Sequence, residues 1–168
     1  KGYVFFDGNK TLNLNIIGIR NKSRDSTRYD DTMLLVYRDG ARDDWTVHSY
    51  EITTEPGPAI LRKPINSDGT AVLVPGQYRG VYKVDTHGSK NRHVALCQRN
   101  GPVQEGMFGI NIHRHAGATE RDYVRGSSAG CQVFASPKDF AEFMYVCNKS
   151  ADLYGNAFTY TLIEEEDL

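Results

Sequence analysis

Thr11-Leu12-Asn13-Leu14-Asn15-Ile16-Ile17 alternates apolar and polar side chains, and this period of two is the strongest constraint on the fold. A strand with one buried face has that period, and a helix does not. The pattern returns at Trp45–Ile52 and at Phe158–Ile163. Shorter apolar runs lie between turn signals at Tyr3–Phe6, Met33–Tyr37, Ala71–Val74, Val81–Val84, Val94–Gln98 and Met107–His115. Tyr3–Phe6 and Thr11–Ile17, separated by Asp7-Gly8-Asn9-Lys10, read as a hairpin. One stretch breaks the rule. Ser136-Pro137-Lys138-Asp139 starts a helix, with Ser as cap and Pro in the first turn. Phe140, Phe143, Met144 and Cys147 then recur at helical spacing, and the pattern ends near Asn148. About eight strands and one or two helices predict a mainly β chain, a mixed sandwich or barrel.

The length of 168 residues suits a single domain over 1–168 with one sizeable core. Twenty basic and 21 acidic side chains give a net charge of -1, which points to neither nucleic acid nor an anionic membrane as partner. No apolar run is long enough to span a bilayer. The chain opens at Lys1 rather than methionine, which leaves a processed form or an excised domain open. Three cysteines, Cys97, Cys131 and Cys147, do not make a disulfide framework. Cys97 and Cys147 read as buried apolar residues or as one bridge.

Two segments carry the chemistry. Gly109-Ile110-Asn111-Ile112-His113-Arg114-His115 delivers a histidine at the end of a short strand. Gly126-Ser127-Ser128-Ala129-Gly130-Cys131 is a small-residue turn that delivers a cysteine. His113 and Cys131 stand 18 positions apart across a polar loop. A thiol reacts as thiolate, and a nearby imidazole can take its proton. The N–H groups of Gly130 and Cys131 are candidate oxyanion donors, and Ser128 is a candidate orienting hydroxyl. Arg114, Arg121, Asp122, Tyr123 and Arg125 lie in the loop between, where a cation could hold a substrate carboxylate. Arg125, beside Gly126, is the best placed. A second pattern stays open: His113 and His115 share a strand face, and with Cys131 they could ligate zinc and leave one position free for hydrolysis. His48 sits among Tyr50 and Ile52 on the apolar face of its strand and reads as structural.

These residues resemble the L,D-transpeptidase catalytic domain, the YkuD-like fold. That family carries a histidine after an Ile-containing strand, then a loop, then Ser/Thr-His-Gly-Cys. His113, Ser128, Gly130 and Cys131 match that pattern. Val74-Pro75-Gly76-Gln77-Tyr78 resembles a segment that precedes the catalytic half, which adds Tyr78 to the substrate-binding candidates Arg114, Tyr123 and Arg125. The resemblance spans residues 12–143. Three departures stand out: Ala129 replaces a second histidine, Arg114 follows His113, and Gln132-Val133 follows the cysteine. The variant spelling is similar to divergent relatives, phage-encoded ones included. The resemblance implies a Cys131 thioester, His113 as base, no cofactor and no bound metal. The substrate would be a peptidoglycan stem peptide. The outcome would be L,D-transpeptidation, or hydrolysis as carboxypeptidase or endopeptidase, in the periplasm, the cell envelope or a virion. Two alternatives remain open: a non-catalytic wall-binding or virion domain of the same fold, and the zinc hydrolase.

Overall fold

A computed structural model describes residues 1–40, 44–65, 67, 69–89, 92–99 and 109–168. Strands β1 (Asn15–Arg20), β2 (Asp31–Asp39) and β3 (Asp44–Thr53) precede a short helix, α1 (Pro58–Arg62). Strands β4 (Gly76–His87), β5 (His93–Gln98), β6 (Ile112–Arg114) and β7 (Gln132–Phe134) follow. Helix α2 (Pro137–Tyr154), strand β8 (Phe158–Glu164) and a 3-10 turn at Glu165–Asp167 complete the order. Among the described residues the eight strands close into a barrel in the order β1-β2-β3-β7-β6-β5-β4-β8. Two neighbouring pairs, β1–β8 and β6–β7, are parallel, and the remaining pairs are antiparallel. Among the described residues the chain is therefore mainly β with two helices, as the strand and helix signals of its sequence predict.

Alternation sets the interior. Met33, Leu35 and Tyr37 of β2 and Tyr50 and Ile52 of β3 point inward and are buried. Ile16 and Gly18 of β1 do the same. A Cβ at Gly18 would run into the Tyr160 hydroxyl, so the missing side chain makes room for Tyr160 in the barrel. Helix α2 starts as the sequence predicts: Ser136 caps it by accepting from Asp139 N–H at 3.2 Å, and Pro137 occupies its first turn. Phe140 and Phe143 pack on Phe134 with ring centroids 5.2 and 5.1 Å apart. The helix runs on past Asn148 to Tyr154, where Gly155 takes φ +86°. Its last turns bury the small residue Ser150 rather than large apolar ones, which is why the pattern fades early.

Several expectations need correction. Tyr3–Phe6 is not a hairpin strand. Side-chain amides hold it instead: Gln77 bonds Val4 N–H and C=O, and Asn15 bonds Phe6 N–H and C=O. Thr11–Asn13 precede β1, which begins only at Asn15. Ala71–Val74 is no strand either. The Leu73 carbonyl accepts from Arg20 Nη2 at 2.9 Å, so a buried cation rather than a neighbouring strand satisfies it. That Arg20 is 1% exposed, with Glu55 at 3.2 Å and Glu164 at 3.5 Å. The expected strand Met107–His115 is described only from Gly109 and is regular over Ile112–Arg114; Met107 and Phe108 lie outside the described residues. The sequence also marks a basic loop over His87–His93 and a turn at Asn100–Pro102; Lys90 and Asn91 of the loop, and the turn, lie outside the described residues too. All three cysteines are free and buried, so Cys97 and Cys147 do not form a bridge. His48 stacks between Tyr37 and Tyr50, with Nε2 3.1 Å from the Tyr37 hydroxyl, in the structural role read from the sequence.

Candidate active site

β6 and β7 run parallel, with Ile112 opposite Gln132, His113 opposite Val133 and Arg114 opposite Phe134. Alternate residues share a face of the pair. Ile112 and Phe134 enter the main core. Cys131 and Val133 face the other way, into a small cluster with Tyr29, Val124 and Ala135. His113 lies on that same side. Cys131 sits just before β7 beside Asn111: Gln132 N–H donates to Asn111 C=O at 2.9 Å, and Asn111 N–H donates to Cys131 Sγ at 3.4 Å. The register thus brings the histidine and the cysteine to one face, one diagonal step apart.

The bend before the sulfur is closed by its own side chains. Ser128 Oγ donates to Cys131 C=O at 2.8 Å and accepts from Gly130 N–H at 3.1 Å. Gly130 takes φ +110°, and a Cβ there would run into the Ala71 carbonyl. Glycine is therefore required by both conformation and space. From inside the barrel, Gln132 Nε2 donates to Gly130 C=O at 3.3 Å, and Tyr160 OH donates to Gln132 Oε1 at 2.8 Å. Ser128 thus builds the bend, and its one hydroxyl proton is engaged there. The expected role of Gly130 N–H as an oxyanion donor is corrected, because Ser128 already takes it. Cys131 N–H has no acceptor among the described residues.

Burial decides the charge states. His113 is 6% exposed and Cys131 9%. Burial, and then the neighbouring His87, push the His113 imidazole down to about 3. Burial pushes the Cys131 thiol up to about 11, against a smaller opposing pull from Asn111 N–H. At neutral pH both groups are uncharged. His113 Nδ1 lies 2.7 Å from the Arg114 carbonyl, which can only accept. Nδ1 therefore carries the proton, and Nε2 keeps a lone pair. His113 and Cys131 do not hydrogen-bond to each other in this state.

A cleft of about 470 Å³ opens beside His113, with His87, His93, Arg114, Arg121 and Arg125 among its walls. Cys131 is not one of those walls. Arg114 Nη1 is tied to the carbonyls of His115 at 2.9 Å and Gly117 at 3.2 Å. Arg125 takes φ +54° and lines the cleft. Tyr123 lies outside it, in an adjoining pocket with Glu120 and Asp122, and Arg28 stands 5.1 Å over its ring. Tyr78 also lies outside it: its hydroxyl donates to Val74 C=O at 2.5 Å, and its ring packs on the barrel core. The zinc arrangement does not form. His115 Nδ1 accepts from Gly117 N–H at 2.8 Å, and among the described residues no three His, Cys, Asp or Glu side chains come together as a metal set. Sequence reasoning missed His87, His93 and Asn111. The signal was there for the first two: the basic loop begins and ends in histidine, and a hairpin pairs its ends, here His87 with His93.

No family model, curated protein or solved structure matches the chain.

Proposed function

We propose that the chain is a cysteine-dependent acyltransferase acting on peptidoglycan stem peptides, with a barrel of the L,D-transpeptidase type. The supporting observation is the β6–β7 register, which sets Cys131 and His113 on one face with the thiol resting on Asn111 N–H. The three arginines around the cleft suit a peptide that carries free carboxylates. The pair starts neutral, so proton transfer accompanies attack rather than preceding it. As the Cys131 sulfur bonds to the peptide carbonyl carbon, His113 Nε2 takes the thiol proton. Cys131 N–H is the free donor for the developing oxyanion. When the C–N bond breaks, His113 returns the proton to the leaving amine, and a thioester remains. An acceptor amine then gives a crosslink or exchange, or water gives hydrolysis, and the thiol is restored. The cell envelope or a virion is the proposed location; among the described residues no helix is long and apolar enough to cross a membrane.

One observation favours a second reading. The sulfur is nearly buried and lies outside the cleft walls, as in a non-catalytic domain that binds stem peptides through the arginines. Chromatography of muropeptides after incubation separates the two. Acyl transfer gives new products with wild-type protein, none with Cys131→Ala, and no change with chelator. Binding alone gives no products and equal affinity in both proteins. Products lost with chelator would instead support zinc.

A further inference from the structure

We infer that His87 is a hydrogen-bond donor to the substrate, paired with His113 so that one cleft presents an imidazole acceptor and an imidazole donor side by side. The inference rests on the proposed acyl transfer for the identity of the substrate, but not for the pairing itself. The two rings stack with centroids 4.1 Å apart and planes at 17°. Their protonation follows from backbone groups whose polarity is fixed. Gln98 N–H donates to the Asn111 side chain at 2.9 Å, so that atom is Oδ1. The other end of the amide is then Nδ2, a donor only. It lies 3.0 Å from His87 Nδ1, so His87 Nδ1 must accept. The neutral His87 ring therefore carries its proton on Nε2. His113 is the reverse, with Nδ1–H held by the Arg114 carbonyl and a lone pair on Nε2.

Neither Nε2 has a protein partner among the described residues, and both rings line the cleft. His93, edge-on at 5.5 Å from His87, and His113 are the titratable rings packed against it. Burial and His93 lower the affinity of His87 for a second proton, which keeps it neutral. A neutral imidazole is a poor acid but a sound donor. We assign its Nε2–H to the carbonyl oxygen of the peptide bond that Cys131 attacks. Asn111 ties His87 to the nucleophile, since its backbone N–H touches the Cys131 sulfur and its side chain sets the His87 tautomer.

Long-range proton–nitrogen NMR on histidine-labelled protein at neutral pH reads the tautomers directly. His87 protonated at Nε2 and His113 at Nδ1 is the expected result; the same tautomer in both, or a charged His87, overturns the pairing. Kinetics with a purified tetrapeptide muropeptide read the role. His87→Phe keeps the stacked ring but loses the donor, and should slow acylation of Cys131 about 100-fold. His87→Gln keeps a donor and should stay within about tenfold of wild type. A Phe variant as fast as wild type would overturn the donor and leave only a stacking partner. Were wild type to bind muropeptide without acylating, the proposed function would fall. The same Phe and Gln contrast, read in dissociation constants, would still decide for or against the donor. Melting curves of both variants confirm folding first.

Discussion

β2 and β3 pair along their whole length, from Asp31 opposite Ile52 to Asp39 opposite Asp44, whereas β6 meets β7 only from Ile112–Gln132 to Arg114–Phe134 and meets β5 at Leu96–Ile112. The long ladder repeats one backbone interaction, so no single side chain defines it. The short seam cannot hold itself that way. It is fixed by specific groups: Ser128 across the bend, Gln132 and Tyr160 from the interior, Asn111 between sulfur and imidazole. Strands this short also end early, which leaves room for the loops that form the cleft. The candidate chemistry lies where the barrel is held by side chains rather than by backbone repetition.

That contrast predicts unequal sensitivity. Gly130→Ala should have the largest effect, because the new Cβ meets the Ala71 carbonyl and the residue loses its tolerated φ. We expect a loss of about 3 kcal/mol or more in denaturant unfolding, with activity abolished. Acid should come next. The folded His113 titrates near 3 instead of the ordinary 6.5. Between those values the unfolded chain binds a proton that the folded chain does not. Stability therefore rises with pH through that window and is lost on acidification. His113→Phe removes the group and should flatten the curve between about pH 3 and 6.5. An unchanged slope would refute the burial argument.

His113→Ala should slow acylation about 100-fold, the usual cost of a lost general base, with His115→Ala far milder. Equal losses would revive the metal arrangement. Ser128→Ala removes both bonds across the bend and should cost about 2 kcal/mol, with a matching fall in rate. On the ladder side, Ser49 is exposed opposite Leu34, and Ser49→Ala should change stability by less than about 0.5 kcal/mol. A larger loss at Ser49 than at Ser128 would invert the comparison.

The ladder side was the legible one. Period-two alternation located β3 and β8, a short apolar run between turn signals located β2, and the Ser-Pro start located α2, because each of those signals is local. The seam was only half legible. His113 and Cys131 could be picked out as residue types, but β7 is three residues long and turns a polar Gln132 into the barrel, so it has no pattern to find. Ser128 was read as an orienting hydroxyl and holds the bend before the sulfur, while Gly130 was given an oxyanion role although its N–H is bonded to Ser128, a bond only coordinates show. Tyr78 was expected near substrate from the family resemblance of Val74–Tyr78 and Tyr123 from its place in the loop between His113 and Cys131, yet they pack on the barrel core and under Arg28. His87 and Asn111 were missed because their value arises from a contact between the end of β4 and the residue just before β6, 24 positions apart.

The proposed acyl transfer requires Cys131 to become acylated with help from His113. Intact mass of the protein after brief incubation with a tetrapeptide muropeptide tests this most directly. We predict a mass increase equal to the acyl fragment, mapped to Cys131, absent in Cys131→Ser and much slower to appear in His113→Ala. Unmodified wild-type protein while muropeptide is bound, or an adduct that persists in Cys131→Ser, would contradict it.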